Sequence, residues 1–318
     1  MNRPKILMTN PSIPQIAFDL LGRQCELVRV ENEKRSSILE KVAGVDAIFW
    51  ATKETLDVEI LDKAGKDFDF LKSSRSICCF VRVSGAQMKT VGAMSAGVNN
   101  IDVLELKKRG IKLGNTPGVL DDAVAEIAVL LALSAARRLH EGRLKIERNE
   151  WTPSLTWMLG QDIVGSTVGI VGLGGVGRAI AKRLKAFQVD KILYTGHREK
   201  PEGQELGANF VSLDTLVKDS DFVIVSCPLT TETRGMFNDD IFSKMKSSAV
   251  FVNVSRGEVV DQDALVRALK EKKIFGAGLD VMTPEPLPPD NELVKLPNAG
   301  SLDASFGQRH LEDEKRNG

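Results

Sequence analysis

Residues 167–184 read TVGIVGLGGVGRAIAKRL, and no other stretch restricts the fold of this chain so tightly. An apolar run rich in small and β-branched residues leads into Gly172, Gly174 and Gly177, and an amphipathic helical pattern starts inside the same motif. The first glycine permits a tight turn, the second lets backbone approach a pyrophosphate, and the third lets the helix pack closely on the strand. The helix N-terminus, with its unpartnered N–H groups, then faces the phosphates. A second strand-like run, KILYT at 191–195, follows the helix. The unit is therefore βαβ and requires a parallel sheet covered by helices. Gly172, Gly174, Gly175, Val176 and Gly177 are the residues expected against a dinucleotide.

The end of KILYT bears on which dinucleotide. An acid there would hydrogen-bond the 2′-hydroxyl of the adenosine ribose, as an NAD site requires. This chain has Thr195 and Gly196 instead, followed by Arg198 and Lys200. A carboxylate would repel a 2′-phosphate, whereas a guanidinium pairs with one. The pattern favours NADPH over NADH, against a plainer alternative in which Arg198 is a solvated surface charge.

A chain of 318 residues suits two domains rather than one core. Upstream of the glycine motif, strand-like KILMTN, CELVRV and DAIFWAT alternate with helical IPQIAFDLLG and SSILEKVA, a second βαβα series. A helix is expected from Leu120 to about Asn149, apolar in its first half and charged in its second. Residues 68–87 part a helix from a strand by more than the usual connection of about two to six residues, and read as an insertion. Its Cys78–Cys79 pair reads as small apolar filler. Forty-three basic residues balance forty-three acidic ones, which gives no reason to expect nucleic acid or an anionic membrane as partner. No apolar run is long enough to span a bilayer. The opening MNRPKILMTN has no signal-peptide h-region, and the four cysteines form no CxxC pair. A reducing cytosol and no metal site are the expectation.

Two further segments carry chemistry. Arg256 directly follows the buried run AVFVNVS, while Asp280 ends GAGLD and Glu285 sits in the proline-bound TPEPLPP. Ligands of open α/β sheets bind outside the carboxyl ends of strands, so these residues are expected beside the dinucleotide. An arginine there can grip a carboxylate with two parallel hydrogen bonds, and a carboxylate can orient an imidazole and raise its pKa.

Taken in order, MSAGVNNIDV, VGIVGLGGVGRAIAKRLKAF, VNVSRGEVVDQDAL and LDVMTPEPLP resemble the D-isomer-specific 2-hydroxyacid dehydrogenases, and among them the glyoxylate/hydroxypyruvate reductases. The resemblance runs from Lys5 to Asn298. It implies an α/β chain of two doubly wound parallel-sheet domains. A flavodoxin-like substrate domain at 1–115 would receive 299–318 as a return, and a Rossmann domain would occupy 116–298. It implies a homodimer that reduces a small 2-oxo acid, glyoxylate or hydroxypyruvate, to glycolate or D-glycerate with NADPH. Arg256 would bind the substrate's carboxylate and carbonyl oxygen, and the Ala96–Gly97 backbone its carboxylate. Glu285 would partner a catalytic histidine and Asp280 would lie near the nicotinamide carboxamide. Cys227, Pro228, Val254 and Ser255 would line the cofactor.

The resemblance departs after LPN at 296–298. Counting without gaps from Glu285, the family's proton-donating histidine falls on Ala304. The chain has only His140, His197 and His310; the first is expected on a helix surface and the second beside the adenosine ribose. His310, six residues past the register, is the remaining substitute. An alternative follows: a catalytically silent nucleotide-binding homologue that acts through interactions. Trp151 and Trp157 are expected to be packing residues near a domain or subunit contact.

Overall fold

The computed structural model describes residues 3–65, 88–152 and 154–301. The insertion at 68–87 with Cys78 and Cys79, and the positions of Ala304 and His310, lie outside the described residues. The chain divides into two compact units, Met1–Val119 and Leu120–Gly318.

In the first unit, β1 (Lys5–Met8), α1 (Gln15–Gly22), β2 (Glu26–Arg29), α2 (Arg35–Lys41), β3 (Ala47–Trp50), α3 (Val58–Ala64), β4 (Thr90–Ala93), α4 (Val103–Lys108) and β5 (Lys112–Gly114) follow one another. The strands are all parallel, in the order β2-β1-β3-β4-β5. Neighbouring residues of one strand feed different cores, as the period of two demands. Leu7 and Ile48 pack with Ile60, Leu61 and Val91 on one side of the sheet, while Ile6, Met8 and Ala47 pack with Phe18 and Cys25 on the other. Burial on both faces is why these strands read as nearly continuous apolar runs.

The second unit opens with α5 (Asp121–Ala136) and α6 (Leu139–Glu147). The single helix expected to Asn149 is therefore broken, and the reason lies in the returning chain. Gln161 donates its N–H to the Ala136 carbonyl at 2.9 Å, taking an acceptor that a continuing helix would need. Arg138 turns the corner in the left-handed region, at φ 55° and ψ 37°. Its guanidinium meets the Glu141 carboxylate through two hydrogen bonds, of 2.9 and 2.7 Å. Before the break α5 buries Ala125, Ala128, Ala132 and Ala136; α6 buries nothing.

There follow β6 (Thr167–Val171), α7 (Gly175–Ala186), β7 (Lys191–Thr195), α8 (Pro201–Glu205), β8 (Ala208–Phe210), α9 (Leu213–Asp219) and β9 (Phe222–Val225). After these come α10 (Asp239–Lys244), β10 (Val250–Asn253), α11 (Gln262–Lys270), β11 (Gly276–Leu279), α12 (Glu292–Lys295) and β12 (Ala299–Ser301). All seven strands are parallel, in the order β8-β7-β6-β9-β10-β11-β12. The sheet order reverses between β6 and β9, and such a switch point opens a crevice at the strands' carboxyl ends. Two doubly wound parallel sheets are the fold class that the alternating pattern implies. The last strand, β12, was not evident from the sequence: three residues carry no alternation, and pairing with β11 makes the strand.

Candidate active site

The glycine motif forms the turn from β6 into α7, and each glycine answers a different steric question. A Cβ on Gly172, whose φ is +96°, would meet Cys227 Cα at 2.8 Å and its N at 2.9 Å; one on Gly177 would meet the Gly172 carbonyl oxygen at 2.1 Å. On Gly174 it would meet nothing within 4 Å. Two glycines are thus required by the protein's own packing, and the middle one leaves space for something else to approach.

The loop's carbonyls are turned back into the unit. Ser226 Oγ donates to the Gly172 carbonyl at 2.8 Å and Lys200 Nζ to that of Leu173 at 2.9 Å. The Arg178 N–H donates to the Gly174 carbonyl at 3.0 Å. The N–H groups of the first turn of α7 have no side-chain cap, so the outward side of this turn is a set of donors suited to an anion. These residues fit a dinucleotide pyrophosphate.

Beside the loop, the Gly172 N–H closes on the Thr195 carbonyl at 2.9 Å, fixing the end of β7. Gly196, His197 and Arg198 are exposed just beyond it. Lys200, grouped with Arg198 by sequence, is engaged at the Leu173 carbonyl, and its N–H donates to the buried Tyr194 hydroxyl at 2.9 Å. Of the two cations, Arg198 is the one at the exposed strand end. On the other flank, burial pushes the Cys227 thiol up to about 11, so it lines its turn as a neutral group. Pro228 beside it is exposed.

The carboxyl ends of β10 and β11 carry the remaining second-unit residues, Val254, Ser255, Arg256, Asp280 and Glu285. Asn253, 1% exposed, organises the turn after β10. Its Nδ2 donates to the Arg256 carbonyl at 2.9 Å, and its Oδ1 accepts from the Ser255 N–H at 3.0 Å and Oγ at 2.8 Å. Its own carbonyl accepts the N–H of buried Asp280 at 3.0 Å. The next turn is locked to this one, because a Cβ on Gly257 would lie 2.1 Å from the Met282 carbonyl oxygen. Gln262 at the start of α11 clamps the same loop with two bonds. Its Nε2 donates to the Thr283 carbonyl at 2.7 Å, and its Oε1 accepts the Thr283 N–H at 2.9 Å. Glu285 Oε1 accepts the Met282 N–H at 3.1 Å. Arg256 and Glu285 thus stand on two rigid, mutually packed turns at one sheet edge. Asn253 and Gln262 hold them there, and the sequence marked neither: a polar residue closing an apolar strand run is the only trace of Asn253.

Ala96 and Gly97 belong to the first unit, after β4. Three consecutive carbonyls of this turn are occupied. The Thr116 N–H donates to Ser95 at 3.2 Å, Asn115 Nδ2 to Ala96 at 2.8 Å, and Ser95 Oγ to Gly97 at 2.6 Å. Asn100 Nδ2 ties the loop after β3 alongside, at the carbonyls of Thr52 (2.8 Å) and Glu54 (3.1 Å). Asn115 and Asn100 were not identified from the sequence.

Neither described histidine joins the edge residues. His140 lies on α6, half-buried, and His197 is exposed past β7. Trp151 and Trp157 stack on each other, with centroids 5.5 Å apart and planes 4° from parallel. Among the described residues no three or more His, Cys, Asp or Glu cluster as a metal site would need, and no helix is long and apolar enough to cross a membrane.

Residues 129–301 match the family described as D-isomer specific 2-hydroxyacid dehydrogenase, NAD binding domain. A glyoxylate reductase/hydroxypyruvate reductase of Mus musculus is 42% identical over 301 residues, covering 92% of this chain and 85% of its own. A glyoxylate reductase of Thermococcus onnurineus is 39% identical over 321 aligned positions, covering 96% and 89%. Among solved structures, a glyoxylate reductase from Paecilomyes thermophila superposes with a TM-score of 0.83 at 29% identity, covering 99% of this chain and 92% of that one.

Proposed function

The chain belongs to the D-isomer specific 2-hydroxyacid dehydrogenases, enzymes that work with a nicotinamide cofactor, and we propose that it reduces glyoxylate and hydroxypyruvate with NADPH. The observation that carries this reading is one sheet edge holding a glycine cradle, an arginine and a glutamate on interlocked turns. With its pyrophosphate in the cradle, a bound dinucleotide would supply hydride from its reduced nicotinamide to a carbonyl carbon. Arg256 binds the substrate carboxylate and polarises the carbonyl oxygen as negative charge develops there. In the first unit, the Ala96–Gly97 turn, its carbonyls occupied, offers N–H groups suited to a carboxylate. Asp280 would meet the carboxamide end of the cofactor, and Cys227, Pro228, Val254 and Ser255 would line it. The absence of an acid at Thr195–Gly196 and the exposed Arg198 support NADPH over NADH.

Glu285 is the partner for a protonated imidazole. Ala304 stands where gap-free register expects that histidine, so His310 or water delivers the proton. Turnover is then lowered by about 10²–10⁴. Exposed Leu130, Leu139 and Ile146 on α5 and α6, with the half-exposed Trp151, support a homodimer. The free thiols of Cys25 and Cys227 are in keeping with the cytosol.

Ala304 also favours a second reading, a silent nucleotide-binding homologue. Absorbance at 340 nm with each 2-oxo acid, together with the affinities for NADPH and NADH, separates the two. Turnover and tighter NADPH binding are expected. A folded protein that binds NADPH without oxidising it gives the second reading, and one that binds neither nucleotide sinks both.

A further inference from the structure

The first turn of α7 has a neighbour that the cofactor reading does not use. A Cβ built on Gly175 would meet Asp121 Oδ2 at 1.8 Å, Cγ at 2.6 Å and Oδ1 at 2.9 Å. The carboxylate of Asp121 is therefore seated over the Cα of Gly175, at the N-terminus of the phosphate-facing helix. The start of α5 is fastened there. Arg183 of α7 donates to Asp122 at 3.0 Å and to Glu126 at 2.9 Å. Asp121 itself forms no ion pair among the described residues.

An ordinary role is available, since an acid in the first turn of α5 stabilises that helix's own N-terminus. The contact with Gly175 adds a second role. The same negative charge sits in the field of α7, whose uncapped first-turn N–H groups face where a pyrophosphate binds. Glycine early in a helix costs backbone entropy, and here the carboxylate occupies the room that a side chain would take. A dinucleotide brings two further negative charges to that helix end, and like charges brought to one partly buried helix terminus repel.

We infer that Asp121 acts as a resident anion at the phosphate cradle, stabilising the cradle without ligand and weakening the hold on the dinucleotide. It is an affinity-determining residue, and the inference rests on the dinucleotide reading of the glycine motif.

The test compares wild type, Asp121→Asn and Gly175→Ala by calorimetric affinity for NADPH and for ADP-ribose, and by the melting temperature without ligand. Asp121→Asn is expected to bind both ligands on the order of tenfold tighter while its ligand-free melt falls by about 1–3 °C. A merely structural role would lower the melt without tightening either ligand. The added methyl of Gly175→Ala pushes the flexible carboxylate aside and tightens binding too; it decides the matter if Asp121→Asn does not fold. Weaker or unchanged affinity in the deciding variant overturns the inference while wild-type binding leaves the cofactor reading standing. Variants that bind where wild type does not support it, and failure of all three to bind overturns both.

Discussion

Replacing Asn253 by alanine tests whether the turn bearing Arg256 is held as the geometry requires. The side chain is buried and makes three hydrogen bonds, one given to the Arg256 carbonyl and two taken from Ser255. At about 1 kcal/mol net for each, the loss is roughly 3 kcal/mol, with the deserted Ser255 N–H and Arg256 carbonyl tending to raise it. The second unit spans Leu120–Gly318, so an unfolding entropy of ~2.1 cal/mol/K per residue comes to roughly 0.4 kcal/mol/K. The melting temperature of that unit should then fall by about 7 °C. Ser255→Ala removes only the hydroxyl's bond, about 1 kcal/mol, and should cost about 2–3 °C. Differential scanning calorimetry resolves the two, and oxalate binding reports whether Arg256 has lost its frame while NADPH binding persists. If Asn253→Ala melts no lower than Ser255→Ala, the side chain is not the hub of this turn and the reasoning fails.

Cys227, its thiol raised to about 11 by burial, and Cys25, also raised by burial, should resist iodoacetamide at pH 8. At a pKa near 11 only about 0.1% of a thiol is ionised there. Mass spectrometry should find both labelled only after denaturation, and rapid labelling of the native protein would refute their burial. Asn115→Ala frees the Ala96 carbonyl, a loss of about 1 kcal/mol, and should lower the first unit's melting temperature by about 4 °C; an unchanged melt would mean that this bond does not hold the turn. Burial pushes the Asp57 carboxyl up, but the Arg35 guanidinium and the Ile60 N–H outweigh it, so the group lies below the usual aspartate range. A depressed carboxyl contributes stability above its unfolded value and loses it as pH falls through the folded one. The first unit's melt should therefore decline as pH drops below ~4, and Asp57→Asn should flatten that part of the profile. An unaltered slope in the variant would place the acid sensitivity elsewhere.

What could be read from the sequence shares one property: its partners are close along the chain. Gly172, Gly174 and Gly177 declare themselves because strand, turn and helix are contiguous, and Arg256 and Asp280 because each ends an apolar run at a strand's carboxyl end. Apart from Asn253, whose partners are two and three positions on, the residues that hold these in place have distant partners. Gln262 reaches Thr283, 21 positions on, and Asn115 reaches Ala96, 19 positions back. Nothing in the immediate context of an Asn or Gln tells a clamp from a surface amide. The broken helix fails for the same reason, since Leu120 to Asn149 does read as helical and what stops it is Gln161 arriving at the Ala136 carbonyl. Lys200 is the instructive middle case. Local spacing puts it close behind Arg198 at the same strand end, but the fold turns it to Leu173, 27 residues away. The charge was legible; its direction was a tertiary fact. A local motif can therefore specify which chemistry is assembled, while how firmly it is held is set by long-range contacts such as those of Gln262 and Asn115.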